Sequence, residues 1–523
     1  MKKIIAVGLA VTAFAGVLAG CGGGETSSAG STASGAVQGA TKSTMVFADS
    51  QAPTNLDPAE GWNSWYTSRY GITETLFKLD KNLAAQSWLA ESAEAVDNTT
   101  WKITLWDNVT FQNGKKMTAQ SVIDSWKRTM ELNARLNELL FIDTMTADGQ
   151  VLTIQTTKPV PSFLSNLCEP VTGILDVSAE TDPAVQPIGT GPYMAKSYEV
   201  KKQCVVERYD NYWGGKPALE GATFNIIADT SALAMAQQTG ESDVSLTIPS
   251  TSLSLFENDS NYVVDGAVGS RGQVLYMNFE NEFLKDINVR KAISMAIDKE
   301  SYANILNKGT SVPANGLFPD SVAFGGKDLK GYSFDTAGAK KLLTDAGYTD
   351  TNGDGILEKD GKKLSLSMST YSTKAELPVF SEAMKSAFQE VGIELELDIG
   401  TYDTVVEKQK NGNFDLMMIS FTMCPTGDPQ YFADIAFKTG GSANYGKYSN
   451  KEVDALIDQL DQEFDVEKRN ALSKEMQQKI LDDAGFVVIG HAKFTNVLNA
   501  KVKNCETNPS EYYLINHQTT MEE

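Results

Sequence analysis

Hydrophobic and polar positions alternate with period two in several short runs of this chain. Residues 101–105 place Trp101, Ile103 and Leu105 on one face, and Val151–Thr156 does the same with Leu152 and Ile154. Such alternation predicts half-buried strands. Residues 45–48, 274–279 and 393–399 read as strands as well, and the apolar run 485–489 reads as a buried one. Elsewhere the period lengthens. The stretch 118–130, opened by Thr118-Ala119-Gln120-Ser121, predicts a helix, and 288–306 carries Val289, Ile293, Ala296 and Ile297 at helical spacing. Helices over 337–346 and 381–391 are stopped by Gly347 and Gly392, and Lys451–Leu460 and Val466–Asp482 predict long surface helices. The mixture has no strict βαβ rhythm and no internal repeat. It predicts α/β lobes.

The amino-terminal segment departs from this pattern. Lys2 and Lys3 precede an apolar run, 4–19, too short and wrongly flanked for a lasting membrane span. Leu18-Ala19-Gly20-Cys21 then resembles the bacterial lipobox, in which cleavage before the Cys follows diacylation of its sulfur. Residues 22–43 are mostly Gly, Ser, Thr and Ala, the composition of a flexible tether. The expectation is a signal peptide over 1–20, lipidation at Cys21 and a tether over 21–43. Several acyl chains on one residue anchor a protein stably. The folded part would then lie at the outer face of the cytoplasmic membrane, on the cell surface or periplasmic side.

Composition narrows the function. The 523 residues carry 45 Lys and Arg against 67 Asp and Glu, a formal net charge of -22. So acidic a surface repels phosphate backbones and excludes nucleic acid as a partner. With two histidines, His491 and His517, a His-built metal or catalytic site is not expected. The chain has no Gly-x-Ser-x-Gly elbow, phosphate loop or zinc ligand set, so no enzyme and no cofactor is expected. Cys168, Cys204, Cys424 and Cys505 match no zinc spacing. In an exported protein they could pair in three ways or stay as isolated buried thiols, and the spacing leaves both open.

The middle of the chain identifies a family. Pro187-Ile188-Gly189-Thr190-Gly191-Pro192-Tyr193 precedes Glu207-Arg208-Tyr209-Asp210-Asn211-Tyr212-Trp213-Gly214-Gly215-Lys216-Pro217. Together they resemble a signature of the family 5 extracellular solute-binding proteins, the dipeptide, oligopeptide and nickel receptors of ABC importers. Further blocks follow the family order, including Asn288-Val289-Arg290-Lys291-Ala292 with Ala296-Ile297-Asp298-Lys299, and 339–347. The resemblance covers roughly residues 44–503. The signature glycines are read as shaping a tight chain reversal, and Tyr212 and Trp213 as apolar anchors.

The resemblance implies a two-lobed periplasmic-binding-protein-like α/β fold (type II, cluster C), with an extra subdomain inserted in lobe I. Lobe I would hold 44–277, including the insertion at about 78–186, and regain 491–523. Lobe II would be 278–490, with hinges near Met277-Asn278 and Ile489-Gly490. It further implies a monomer that traps a short peptide between the lobes and hands it to permease subunits, with nickel held as a small chelate as the alternative. A signalling or adhesive lipoprotein that kept the fold but lost transport is the third class, and genes for permeases and ATPases beside this one would favour import.

A free peptide is a zwitterion, so a receptor that buries it needs an anion and a cation. Phe421 to Pro429 resembles the family loop ending in Gly-Asp-Pro, whose Asp takes the peptide amino group, and this points to Asp428. The same residue could cap a helix starting near Pro429. Arg135 is the candidate for the carboxylate and Arg271 the second choice; Trp62, Trp65 and Tyr402 are candidate pocket walls. Within the family the segments 147–150 and 156–159 lean toward the nickel branch. Ser442, however, stands where those receptors carry a His, and a hydroxyl is a poor nickel ligand. A ligand that wraps the metal fully would escape this objection. Separately, Asp350, Asn352 and Asp354 match the first half of a calcium loop, with Glu358 or Asp360 in place of the missing twelfth-position Glu.

Overall fold

The computed structural model describes residues 41–522. The expected signal peptide, Cys21 and nearly all of the tether lie outside them. Among the described residues no helix is long and apolar enough to cross a membrane.

The molecule is the two-lobed α/β fold expected. Its backbone is one eleven-stranded sheet that runs through both lobes. On one side Thr44–Asp49 lies parallel to Gly221–Ile226 and beside Val244–Ser245. On the other, Ser365–Tyr371 pairs parallel to Glu394–Gly400, and helix Glu376–Val391 crosses between them. That helix buries Leu377, Phe380, Met384 and Phe388 against the sheet and stops where Gly392 turns left-handed, φ 93°. Two long strands lie in the middle of this sheet. Tyr262–Met277 and Val487–Asn499 pair antiparallel along most of their length, with register shifts between Val268 and Gly272 and between Gln273 and Val274.

A separate antiparallel sheet of Ala90–Ala95, Thr100–Leu105, Val151–Thr156 and Ile142–Asp148 carries helix Ala119–Leu132. The sequence places this helix correctly because its start is chemically marked. Thr118 and Ser121 form a reciprocal capping box, Ser121 N to Thr118 Oγ1 at 3.3 Å and Thr118 N to Ser121 Oγ at 2.8 Å. Its apolar face buries Val122, Ile123 and Trp126, and the indole N–H of Trp126 donates to Thr172 O at 2.8 Å. Burying side chains of this size contributes roughly 1.5–3 kcal/mol each.

The chain ends where the fold begins. Residues Val502–Lys503 pair with Thr520–Met521, and Lys42 N donates to Met521 O at 2.8 Å.

Three expectations need correction. The helix expected over 288–306 is broken: Ile287–Met295 ends, Asp298 caps a new turn by accepting Ser301 N at 3.1 Å, and Tyr302–Leu306 widens into a π turn. Gly189 and Gly191 do not adopt left-handed φ; a Cβ there would overlap the carbonyl oxygens of Ile72 and Gly71, so close backbone approach requires them. Tyr212 and Trp213 are not merely apolar anchors. Their O–H and N–H donate to the fully buried carboxylate of Glu74 at 2.5 and 2.9 Å, and Thr190 Oγ1 adds a third bond at 2.9 Å. Burial pushes Glu74 up to about 7 despite these donors.

Candidate functional site

Arg135 lies in the first turn of helix Ala134–Leu140. Asn133 caps helix Ala134–Leu140 through Arg135 N at 3.2 Å, and its own amide donates to Gly61 O at 3.0 Å. One side chain therefore ties the helix to the loop holding Trp62. The Arg135 guanidinium lies over the Trp62 ring, 3.6 Å from its centroid, a cation–π stack. Trp62 is 55% exposed and meets Trp65 edge-on at 5.2 Å; Trp65 in turn meets Tyr512 at 5.0 Å.

Glu169, only 1% exposed, holds this wall together. Its Oε1 accepts from Arg135 Nη2 and from Trp65 Nε1 (2.8 Å), and its Oε2 accepts Val171 N at 2.7 Å. Nη1 of Arg135 is buried and has no hydrogen-bond partner. A buried guanidinium nitrogen left unpaired is costly unless something completes it.

Several tyrosines lie in the same region. Burial raises the Tyr431 hydroxyl above its ordinary value, and the positive charge of Arg135 partly offsets this. Tyr445 is raised by burial and then by Tyr402 and Tyr431, so these three hydroxyls share one region. Tyr402 is 55% exposed and meets Tyr371 edge-on at 5.3 Å. Tyr371 OH accepts Ser420 N at 3.2 Å and lies within reach of the Arg271 charge. Arg271 closes the row and pairs with Glu511 at 3.4 Å. The row thus runs from Arg135 through Tyr431, Tyr445, Tyr402 and Tyr371 to Arg271.

Of the residues expected from sequence, Arg135, Trp62 and Trp65 come together on one wall, and Tyr402 and Arg271 join the tyrosine row. Asp428 is engaged elsewhere. Its Oδ1 accepts Arg469 Nη2 at 2.6 Å and Gln430 N at 2.9 Å, where the turn Gln430–Phe432 begins. Arg469 is itself buried and also donates to Leu460 O at 2.6 Å. Asp428 thus accepts the first amide of this turn from the residue before its N-cap, Pro429, and its charge is matched by Arg469. Next to it Gly427, φ 72°, lies against the Leu83 carbonyl, where a Cβ would overlap that oxygen. This contact joins the loop before Gln430 to the turn at Leu83.

Sequence reading missed Glu169, Tyr431, Glu511 and Arg469. Each works through a partner distant in sequence, and an acid or a tyrosine in isolation carries no signal. Tyr445 lies three residues after Ser442, the exposed position on which the sequence reading concentrated.

In the loop at 350–358 the carboxylates of Asp350, Asp354 and Glu358 approach within 4.8 Å of one another. Asn352 turns its amide nitrogen toward Glu358 Oε1 at 2.8 Å, a donor rather than a ligand, and Lys363 pairs with Asp354 at 3.1 Å. The four described cysteines are free and buried. Desolvation raises each of these thiols above its ordinary value.

Comparison with known proteins places this geometry in context. The sequence profile described as bacterial extracellular solute-binding proteins, family 5 Middle, matches residues 84–444. The nickel-binding protein NikA of Staphylococcus aureus is 31% identical over 455 residues, 87% of this chain and 90% of that protein. Its structure in complex with Ni(L-His)2 superposes with a TM-score of 0.76 at 29% identity, over 92% of this chain and 100% of that one. The nickel ABC transporter structure from Bacillus halodurans gives a TM-score of 0.81 at 31% identity, covering 92% of this chain and 100% of that one. The oligopeptide-binding protein AppA of Bacillus subtilis is 26% identical over 79% of each chain.

Proposed function

The chain belongs to the bacterial extracellular solute-binding proteins of family 5, the receptor components of ABC importers, and on that premise we propose that its lobes close on a small solute carrying carboxylate groups. The observation that carries this reading is the unpartnered, buried Nη1 of Arg135, whose guanidinium is held by Glu169 and Trp62. A guanidinium with one donor pair spent and another free is complementary to a carboxylate.

The first reading is a metal chelate, nickel in particular, whose organic ligands wrap the ion completely. Two things support it. Asp428, the acceptor that a peptide ammonium would need, already neutralises Arg469. The relatives with about 30% identity over most of their length are nickel proteins. Ser442 offers no imidazole, so the metal would be carried by its chelator, with the protein reading carboxylates and ring faces. A short peptide is the second reading. Both hydrogen bonds to Asp428 fall on Oδ1, which leaves Oδ2 for an ammonium, and AppA binds oligopeptides.

In either case lobe I comprises 44–277, with its insertion at about 78–186, together with 491–523, and lobe II comprises 278–490. Bending occurs where the two long strands pass between them. Ligand makes contacts in the closed state that the open state lacks, and this shifts the population toward closure. The closed monomer, held at the outer face of the membrane through lipid on Cys21, delivers its cargo to the permease without chemical turnover. Native mass spectrometry of the purified protein, followed by calorimetry with nickel bis(L-histidine) and with short peptides, tests the reading. Failure of every carboxylate-bearing probe to bind would reject it.

A further inference from the structure

The three arginines described above each already have a carboxylate of their own. Arg135 is paired with Glu169, Arg271 with Glu511 at 3.4 Å, and Arg469 with Asp428 at 2.6 Å. Lys374, the remaining cation near Arg271, is faced by Glu376 and Glu511. What the walls add between these pairs is tyrosine and tryptophan, which bring dipoles and ring faces but no net charge.

We infer that this receptor selects ligands of zero net charge, and that Glu169 is the residue that sets this preference. The inference rests on the proposed function, since it concerns what carboxylate-bearing solute the same cleft accepts. A solute with uncompensated negative charge would enter a dry site that has no net positive charge to meet it, and would lose its hydration without repayment. An internally balanced solute escapes that cost. Its carboxylate can take Nη1 of Arg135, while its own cationic centre balances the carboxylate. A divalent metal bound by two amino-acid monoanions meets this description, and so does a zwitterionic peptide. A polycarboxylate complex does not, although it has more groups to offer Arg135.

Glu169 is a positioning residue in this scheme. It fixes Arg135 and Trp65 through separate hydrogen bonds to one oxygen, and it cancels the arginine's charge. Glu169→Gln keeps an acceptor carbonyl for these donors and removes the charge. A purely structural role would change stability and weaken all ligands alike. A charge-setting role changes the ratio between ligands.

The experiment uses the full mature chain and calorimetry at constant ionic strength. The probes are nickel bis(L-histidine), which is neutral, trialanine, which is zwitterionic, and nickel-EDTA, a dianion. The wild type should bind a neutral probe about tenfold or more tighter than nickel-EDTA, and Glu169→Gln should shift that ratio toward the dianion by about tenfold. Glu511→Gln, at the half-buried pair on the other end of the row, should shift it in the same direction and provides the test if Glu169→Gln does not fold. A wild type that binds nickel-EDTA as well as the neutral probes overturns the inference. So does a ratio unmoved in a folded variant. Both results leave the carboxylate-binding role standing. Absence of binding by all three probes instead rejects that role, and the charge preference with it.

Discussion

The guanidinium of Arg135 and the indole of Trp62 stack at 3.6 Å, although the two residues lie in separate segments and Trp62 is more than half exposed. The stack is held from behind by Glu169 and from the side by Asn133. It presents a flat, pre-oriented cation to the cleft, so little ordering remains to be done when ligand arrives.

Arg135→Lys keeps the charge opposite Glu169 and loses the planar fork and most of the stack. It should therefore fold like wild type but lose about 2–5 kcal/mol of binding free energy. Trp62→Ala, at an exposed position, should change stability by within about 0.5 kcal/mol while weakening the ligand clearly. Thermal melts with parallel calorimetry separate the two quantities. Full affinity in Arg135→Lys would remove Arg135 from the site.

Asp428 and Arg469 form a buried pair. Asp428→Ala leaves Arg469 uncompensated and should cost roughly 3–5 kcal/mol of stability, readable by urea denaturation. Under the chelate reading, nickel bis(L-histidine) affinity of the folded variant stays near wild type. A selective loss of peptide affinity would instead favour the ammonium role.

Gly427 meets the Leu83 carbonyl with φ 72°, a contact that crosses between the lobes as proposed. In Gly427→Ala the left-handed backbone costs about 1–2 kcal/mol, and the added methyl keeps the lobes apart. Affinity should fall for every ligand regardless of chemistry, and small-angle scattering with saturating ligand should show a larger radius than wild type. Unchanged compaction would show that this contact is not part of closure.

Glu74 gives a pH signature unrelated to ligand. Its folded value, about 7, lies above the ordinary 4.5. The native state therefore holds the proton longer than the unfolded chain does. Its effect is a loss of stability as pH rises from about 4.5 to 7, levelling off above that. Glu74→Gln should flatten the Glu74 part of the stability profile in that window, measured by denaturant melts at a series of pH values. An unchanged slope would mean that the three donors keep Glu74 charged throughout.

Much of the fold could be read from the sequence because local rules and burial agree there. Val151–Thr156 and Val466–Asp482 fall where their patterns put them, and the capping box at Thr118 marks its helix before any packing is considered. The long crossing strand was legible only in its last part. Its first ten residues, Tyr262 to Arg271, mix glycine with exposed, half-buried and buried positions, so no clean alternation marks them. The site was legible in part for a different reason. Arginine and tryptophan are uncommon enough to invite attention, whereas Glu169 is one of 67 acids and acquires meaning only through Arg135, 34 positions away. Asp428 shows the reverse. Its motif was visible, but the arginine that occupies it lies 41 positions downstream.

The meeting of Lys42 with Met521 governs how the molecule can be made. The opening strand Thr44–Asp49 lies beside Val244–Ser245, which in turn needs Val497 and Leu498 from the far end. During export the leading portion cannot finish its sheet until almost the whole polypeptide has emerged. It must wait with open strand edges, a state prone to proteolysis and aggregation. Lobe I, as proposed, cannot be produced as a simple contiguous fragment, and trimming the tail strips a partner from the first strands.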